Sequence, residues 1–397
     1  MWTVFVGENR LCKTTLLQTI AAAAAGGDRA TQLVTNVITS WPDLRKPEPL
    51  KIDAEFELTA KGVAGDTLWS TLSLEPDKRV FVTQSGNVEN DGSRVSKIPN
   101  VLAQVRSRER PNWFVAGYGP SRLLPSLGQA ARQAEPALDR LRPLFGDVLI
   151  GTGFIELLDE DLGRAFVDVL ESVFVAGGVL PHVTGIDLRG RRFRTTRDLS
   201  EAQRFEMEVG ANTGTKIQIP ASWLSQGYQT LIAWLSDLVG QLLLDAGGPI
   251  AAADMVGTVL IDEIDLHLHP TWQVKLIPAL KQVFPKLQFI ATTHSPMVLA
   301  GLEAEEVFVL SQDDEGSVVA TQSTQSPALL TGSELFEAFF QLRTLYPGAL
   351  GEKLHRYSYL ATDPTRTDDE DKAMRTLRRE LEAAGVAFDR DPVEREP

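Results

Sequence analysis

MVGTVLIDEIDLHLHP, residues 255–270, is the stretch that decides how this chain folds. It opens as an apolar, β-branched run and reaches two adjacent carboxylates, Asp262 and Glu263. A short apolar run of this kind reads as a buried strand. Open α/β sheets bind ligands at the C-terminal ends of their strands. At such an end one carboxylate can hold a magnesium ion, and its neighbour can orient and polarise a water.

Downstream, a helix over 271–284, a strand over 287–292 and a helix over 296–302 alternate. That is the pattern of a parallel sheet with crossover helices, and a strand pair near 306–310 and 317–321 extends its edge. Upstream, WLSQGYQ (223–229) leads into a helix predicted over 226–245. At the start of the chain WTVFV (2–6) reads as a strand running into a turn at Gly7. An alanine-rich helix from Lys13 to Ala25 follows, closed by Gly26-Gly27. Residues 51–58, 67–74 and 79–84 look like a small antiparallel set, with NVENDGS (87–93) as a loop. From 123 to 245 the chain turns helical, with helical spacing over 128–145 and 156–175, while 183–220 is mixed, with strands near 191–195 and 215–219. The tail after 331 is helical again. Thr331 with Glu334, and Thr367 with Glu370, match the capping box. Met374, Leu377, Leu381 and Ala384 make one apolar stripe, and the closing DRDPVEREP is expected to be loose.

GENRLCKTT (7–15) sits between a strand and a helix, the place of a Walker A phosphate loop. The chemistry requires backbone N–H groups turned towards phosphate oxygens and a helix N-terminus aimed at them. Gly7, Glu8, Asn9, Arg10, Leu11, Cys12, Lys13, Thr14 and Thr15 are the candidate nucleotide-binding residues. Lys13 would bridge the terminal phosphates, and the Thr14 hydroxyl together with Asp262 would ligate magnesium. The loop departs from GxxxxGK[ST], because Cys12 stands where glycine is expected. A side chain there would strain a backbone that glycine relaxes. A thiol at a helix N-terminus beside a lysine is also a candidate reactive group.

In LSQGYQ, Ser225, Gln226, Gly227 and Gln229 start a helix whose dipole favours a phosphate. Glu263 is the candidate water-activating residue. His294, after Thr292-Thr293 at the end of the next strand, is the candidate contact to a γ-phosphate. His267 and His269 read as part of a turn lining a seam between two copies, with a metal reading of the two beside Asp265 as the lesser alternative.

These four motifs, in this order over residues 2–310, resemble the ABC-type ATPase heads of the SMC, RecF and OLD-like branch. DEIDLHLHP and ATTHSP resemble the bacterial stand-alone AAA ATPases related to that branch, and GYGPSR (117–122) resembles a segment of the ATPase subunits of Septu-type and retron-associated bacterial anti-phage defence systems. The resemblance implies an α/β ABC ATPase head, a mixed sheet with a P-loop core and an antiparallel part. A helical lobe and a C-terminal helical extension complete it. The expected domains are 1–122 and 246–325 for the two parts of the ATPase core, 123–245 for the helical signature lobe and 326–397 for the extension. It further implies ATP and magnesium as cofactors, and a homodimer or higher even oligomer. Two ATPs would be sandwiched between Lys13 of one chain and Ser225 of the other. A partner effector nuclease or other defence subunit is expected as well. A non-hydrolysing ATP-binding scaffold and a DNA-repair ATPase are the alternatives. The chain starts just before the phosphate loop, where the family places earlier strands, so either the recorded start is short or the adenine side is open. The Q-loop glutamine is unassigned, Gln104 being a poor candidate. Arg122 reads either as phosphate-facing or as an ordinary surface arginine.

Composition narrows the remainder. No apolar run approaches the roughly 18 to 20 residues that cross a bilayer, so a cytoplasmic protein without a membrane partner is expected. One cysteine excludes an intramolecular disulfide and a zinc hook. A net charge of −14 argues against a surface that coats nucleic acid everywhere. DLRGRRFRTTRD (187–198) is the local exception. Its Arg189, Arg191, Arg192, Arg194 and Arg197 are candidate contacts to a DNA backbone, with a solvated hairpin as the alternative.

Overall fold

A computed structural model describes residues 1–35, 50–57, 67–74, 81–96, 102, 106, 113–122, 124, 135–146, 150, 159–188, 203–208, 214–340, 348–388 and 391–393. The chain divides into two compact units, Met1–Leu329 and Leu330–Pro397.

In the first unit, β1 (Trp2–Val6) is followed by α1 (Lys13–Ala25) and α2 (Gly27–Val34). An antiparallel sheet comes next, made of β2 (Leu50–Glu57), β3 (Thr67–Leu74), β4 (Val82–Val88) and β5 (Arg94–Val95) in that order. The predicted loop at 87–93 is largely a hairpin. Asn87 pairs with Val95 and Val88 with Arg94, and Glu89–Ser93 is a tight turn with Gly92 at φ 81°. The Asn-Asp-Gly-Ser run is the turn chemistry that closes it.

β6 (Val115–Tyr118) then enters the principal sheet. The helix predicted over 128–145 is broken where it is described: a short α3 (Pro136–Asp139) and a 3-10 turn at Arg142–Leu144 replace it. Each begins at or next to a proline, which starts a turn but cannot continue a helix. α4 (Glu160–Glu171) is capped by Asp159, whose carboxylate accepts from the N–H groups of Asp161 and Leu162. A second antiparallel sheet holds β7 (Val183–Leu188), β8 (Gln203–Glu208) and β9 (Lys216–Pro220). The strand expected near 191–195, and all five candidate DNA-contacting arginines, lie outside the described residues.

α5 (Gln226–Ala246) is almost wholly buried, with Trp234, Leu235 and Leu238 at its centre. The remaining elements are β10 (Gly257–Ile261), α6 (Pro270–Val283), β11 (Leu287–Thr292), a single-turn α7 (Pro296–Leu299), β12 (Val307–Gln312) and β13 (Val318–Gln322). The helix predicted to reach residue 302 stops at Leu299, before Gly301.

The principal sheet has the order β13-β12-β1-β11-β10-β6. β6, β10, β11, β1 and β12 are mutually parallel, and β13 closes the edge antiparallel. Parallel strands covered on both faces read as continuous apolar runs; Val259, Leu260, Ile261, Phe289 and Ala291 are fully buried. On one face α1 packs Leu17 and the Ala21–Ala24 run against Val115 and Leu260. Small side chains let that helix lie close to the sheet. Every parallel strand therefore ends on one edge, and the loops carrying the sequence motifs gather there.

The second unit holds α8 (Gly332–Phe340), α9 (Ala349–Thr362) and α10 (Asp368–Ala383). The Thr367–Glu370 capping box forms, and Met374 and Leu381 bury against Tyr357 and Leu360. The segment expected to be loose is pinned at Val393, whose N–H donates to the Ala361 carbonyl (2.9 Å) and whose carbonyl accepts from Arg366 (2.9 Å). No helix of the described residues is long and apolar enough to cross a membrane.

Candidate active site

The loop after β1 wraps the start of α1. Gly7 has φ 157°, a conformation that L side chains rarely adopt, and a Cβ there would meet Leu11 and the Leu310 carbonyl at 3.0 Å. Arg10 (φ 79°) and Cys12 (φ 54°, ψ 29°) occupy the left-handed region without being glycine. Cys12 is the residue before α1 and gives the helix no side-chain cap. The backbone conformation expected of a glycine is thus present with a thiol on it. Glu8, Asn9, Arg10 and Cys12 are exposed, as is Thr14, while Lys13 is buried.

Lys13 Nζ donates to the carbonyls of Gly7 (2.7 Å) and Glu8 (2.9 Å), which draws the loop around the amine. Burial holds the Lys13 ammonium below the usual lysine range, against the opposing pull of Asp262, Glu263 and Asp265. The Thr14 hydroxyl donates to Asp262 Oδ2 (2.6 Å), although the two lie 248 positions apart in the sequence. This contact joins the first helix to the end of β10. Hydroxyl and carboxylate oxygens are the hard donors that magnesium takes. With a buried ammonium beside them and a loop whose backbone curls around it, these residues fit a magnesium–triphosphate group.

Thr292, at the end of β11, braces both acids. Its hydroxyl donates to Asp262 Oδ1 (2.5 Å) and accepts from the Glu263 N–H (2.8 Å). Glu263 has φ 47°, a left-handed conformation that costs a non-glycine residue about 1 kcal/mol or more. Asp265 receives the Thr293 hydroxyl (2.5 Å) and the His294 N–H (3.3 Å), so it holds the turn that presents the exposed His294. Sequence reading quoted Thr292 and Asp265 without assigning these bracing roles. The signal was present: a hydroxyl ends the strand beside Asp262-Glu263, and a third acid follows them.

Arg122 is not a surface residue. It is 1% exposed, and one of its Nη groups donates to the Glu263 carbonyl. Among the described residues, its Nε and Nη1 have no hydrogen-bond partner. Burial pushes the guanidinium down to about 10, against the pull of Asp262, Asp265 and Glu263, so it remains charged at neutral pH. Gln104, the poor candidate for the unassigned Q-loop role, lies outside the described residues.

The signature segment starts α5 with Ser225 as N-cap, and Ser225 makes no side-chain cap bond. Gly227 is required by packing, since a Cβ would lie 2.6 Å from the His267 carbonyl. Gln226 meets the His267 ring nitrogen (3.3 Å), and Tyr228 packs edge-on to Trp272 with centroids 4.6 Å apart. Gln229 donates to the Leu224 carbonyl (2.6 Å), closing the turn ahead of the helix. His269 caps α6 by accepting from Thr271 N–H. His267 and His269 therefore have separate structural partners, and among the described residues no group of three or more His, Cys, Asp or Glu side chains is placed to hold a metal ion. Among the described residues, no hydrogen bond of the signature reaches the phosphate loop. Ser225 and Gln226 are exposed, and Trp223 beside them is 75% exposed.

One further link joins the two regions. Tyr118, the last residue of β6, donates to Asp237 on α5 (2.8 Å). Burial pushes the Asp237 carboxyl up to about 7, with Tyr118, Gln241 and Arg140 opposing.

Residues 121–300 match the family model described as "AAA domain, putative AbiEii toxin, Type IV TA system". Septu protein PtuA of Bacillus mycoides (strain KBAB4) is 27% identical over 386 residues, 96% of this chain and 46% of that protein. Over nearly its whole length the chain is similar to Septu PtuA. "Retron Ec83 probable ATPase" of Escherichia coli is 45% identical over 87 residues, 22% of this chain and 16% of that protein. The chain spans less than half the length of the curated relatives it matches. A solved Smc head bound to the C-winged helix domain of ScpA aligns over 81% of this chain and 90% of that one, at 16% identity and a TM-score of 0.46. The resemblance to AAA-type ATPases of Septu and retron systems is thereby carried by two comparisons of sequence.

Proposed function

We propose that this chain binds ATP with magnesium at the C-terminal edge of the principal sheet, hydrolyses it, and pairs with a second copy around the nucleotide. The observation that carries the reading is the Thr14–Asp262 hydrogen bond (2.6 Å) beside the buried Lys13. Thr14 and Asp262 would hold the metal, which supplies positive charge against the phosphate oxygens when bound. Lys13 exchanges the Gly7 and Glu8 carbonyls for phosphate oxygens. Glu263 orients a water and takes its proton as the water oxygen bonds to the terminal phosphorus and the bridging P–O bond breaks. His294 contacts the departing phosphoryl group. Exposed Ser225 and the free start of α5 offer N–H groups to the triphosphate of a facing copy, and exposed Trp223 lies on the same face. The similarity to Septu and retron proteins supports a place in an anti-phage defence assembly; an effector nuclease or another subunit as partner, and DNA contact through the arginines at 189–197, belong to the proposal.

A second reading, a binding scaffold that does not turn ATP over, is favoured by one feature, the left-handed Cys12 in the cradle. Steady-state turnover and light scattering on wild type and Glu263→Gln separate the two. The hydrolase predicts a loss of about 100-fold or more in turnover, with ATP binding kept and an ATP-dependent doubling of mass in the variant. Wild type that binds ATP and never hydrolyses it supports the scaffold.

A further inference from the structure

β6 ends at Tyr118, which pairs with Ile261 of β10, and its carbonyl accepts from Asp262 N–H (2.8 Å). The chain then turns sharply. Gly119 allows this, because a Cβ there would lie 2.6 Å from the Pro143 carbonyl. Arg122 N–H donates back to the Pro120 carbonyl (2.9 Å), and the turn leaves the Arg122 side chain buried against Glu263.

Glu263 is therefore gripped on both sides of its Cα. Its N–H is fixed by Thr292 and its carbonyl by Arg122. Between these anchors lies a left-handed conformation that an L-residue leaves when released. A rotation about those bonds re-aims the carboxylate. The remainder of the Arg122 guanidinium is what separates this residue from structural glue. Arg106, the other buried arginine with a strongly lowered value, spends its donors on the Ala23 and Ala24 carbonyls and the Ser70 hydroxyl. Arg122 makes one such contact, to the Glu263 carbonyl, and among the described residues its Nε and Nη1 have no partner. A side chain kept for stability alone is poorly served by two desolvated donors without acceptors.

We infer that Arg122 is a positioning residue for the hydrolytic step: it holds the Glu263 peptide in the orientation that aims the carboxylate at the attacking water. This rests on Glu263 being the general base of the proposed function. The test uses the full chain with Arg122→Met and Arg122→Lys, measuring kcat, the Kd of a fluorescent ATP analogue and the melting temperature. Methionine fills much of the space without a donor; lysine keeps the charge and one donor. Arg122→Met is expected to lower kcat by about tenfold or more, since small misplacements of a catalytic group are costly. Kd should stay within about threefold and melting within a few degrees, with Arg122→Lys intermediate in kcat. An active wild type with an equally active Arg122→Met overturns the inference alone. Parallel loss of kcat, nucleotide binding and melting temperature in both variants also overturns it, by making the role structural. A wild type that binds ATP without turnover defeats the hydrolase reading and this inference with it.

Discussion

The two ends of α1 are built from the same parts to opposite rules. Each has a residue at positive φ and a buried cation. At the C-terminal end the residue is Gly26 (φ 66°, ψ 156°), a conformation essentially open to glycine alone. Its cation, Arg106, donates to the Ala23 and Ala24 carbonyls, where positive charge suits the helix dipole. At the N-terminal end the residue is Cys12, strained where glycine would not be. Its cation, Lys13, sits at the positive end of the dipole with its amine on two loop carbonyls. One end is satisfied. The other is held in tension, with a strained residue before the helix and an ammonium held on loop carbonyls near three acids, an arrangement a magnesium–phosphate group would complete.

The comparison breaks most visibly at the satisfied end. Arg106→Met removes charge-assisted bonds to two helix carbonyls and Ser70, and should cost about 3 kcal/mol. Gly26→Ala should do comparable damage by another route, because the new Cβ would lie 2.1 Å from Arg106 Nη1. Both should lower the melting temperature by several degrees without nucleotide. Melting curves like that of wild type would show that this cap is not structural.

The same change of charge at the other end should behave in reverse. Lys13→Met is expected to leave nucleotide-free melting unchanged or slightly higher, while abolishing the stabilisation ATP gives. Its sign with pH follows from burial, which lowers the Lys13 value in the folded chain. The unfolded chain then binds the proton more readily, so wild-type stability rises with pH between the lowered folded value and the usual lysine value of about 10.4. Any advantage of Lys13→Met at neutral pH should shrink across that alkaline window. An advantage that grows instead would contradict the desolvation account.

How legible these ends were in the sequence differs as well. The strand, turn and helix over 2–25, β10, β11 and α5 could be read from apolar runs and punctuation, because local pattern and final burial agree there. Cys12 could be flagged, since its place in a motif was known. Arg106 could not, because its partners are helix carbonyls brought close only by the fold. Arg122 was read too close to the surface. Its burial depends on Gly119 passing beneath Pro143, a contact that no spacing announces. β7 and β8 were missed within 183–220, a stretch of mixed pattern in which strands are expected near 191–195 and 215–219 instead. Val393 was called loose from its charged neighbours, whereas two backbone bonds decide its order.

The smallest effect separates the two explanations for an unusual phosphate loop. If backbone strain is the burden at Cys12, Cys12→Gly should relieve about 1 kcal/mol of left-handed cost, partly offset by glycine's greater freedom when unfolded. A gain of several tenths of a kcal/mol and a few-fold tighter ATP binding are expected. Cys12→Ala keeps the Cβ and therefore the strain, so it should match wild type in both measurements. If the sulfur's bulk is the burden instead, alanine and glycine should improve binding alike, because both remove it. Melting without nucleotide, followed by ATP titration of the three chains, distinguishes the cases. The same series also bears on hydrolysis, since only the strain account predicts that turnover rises in Cys12→Gly and stays level in Cys12→Ala.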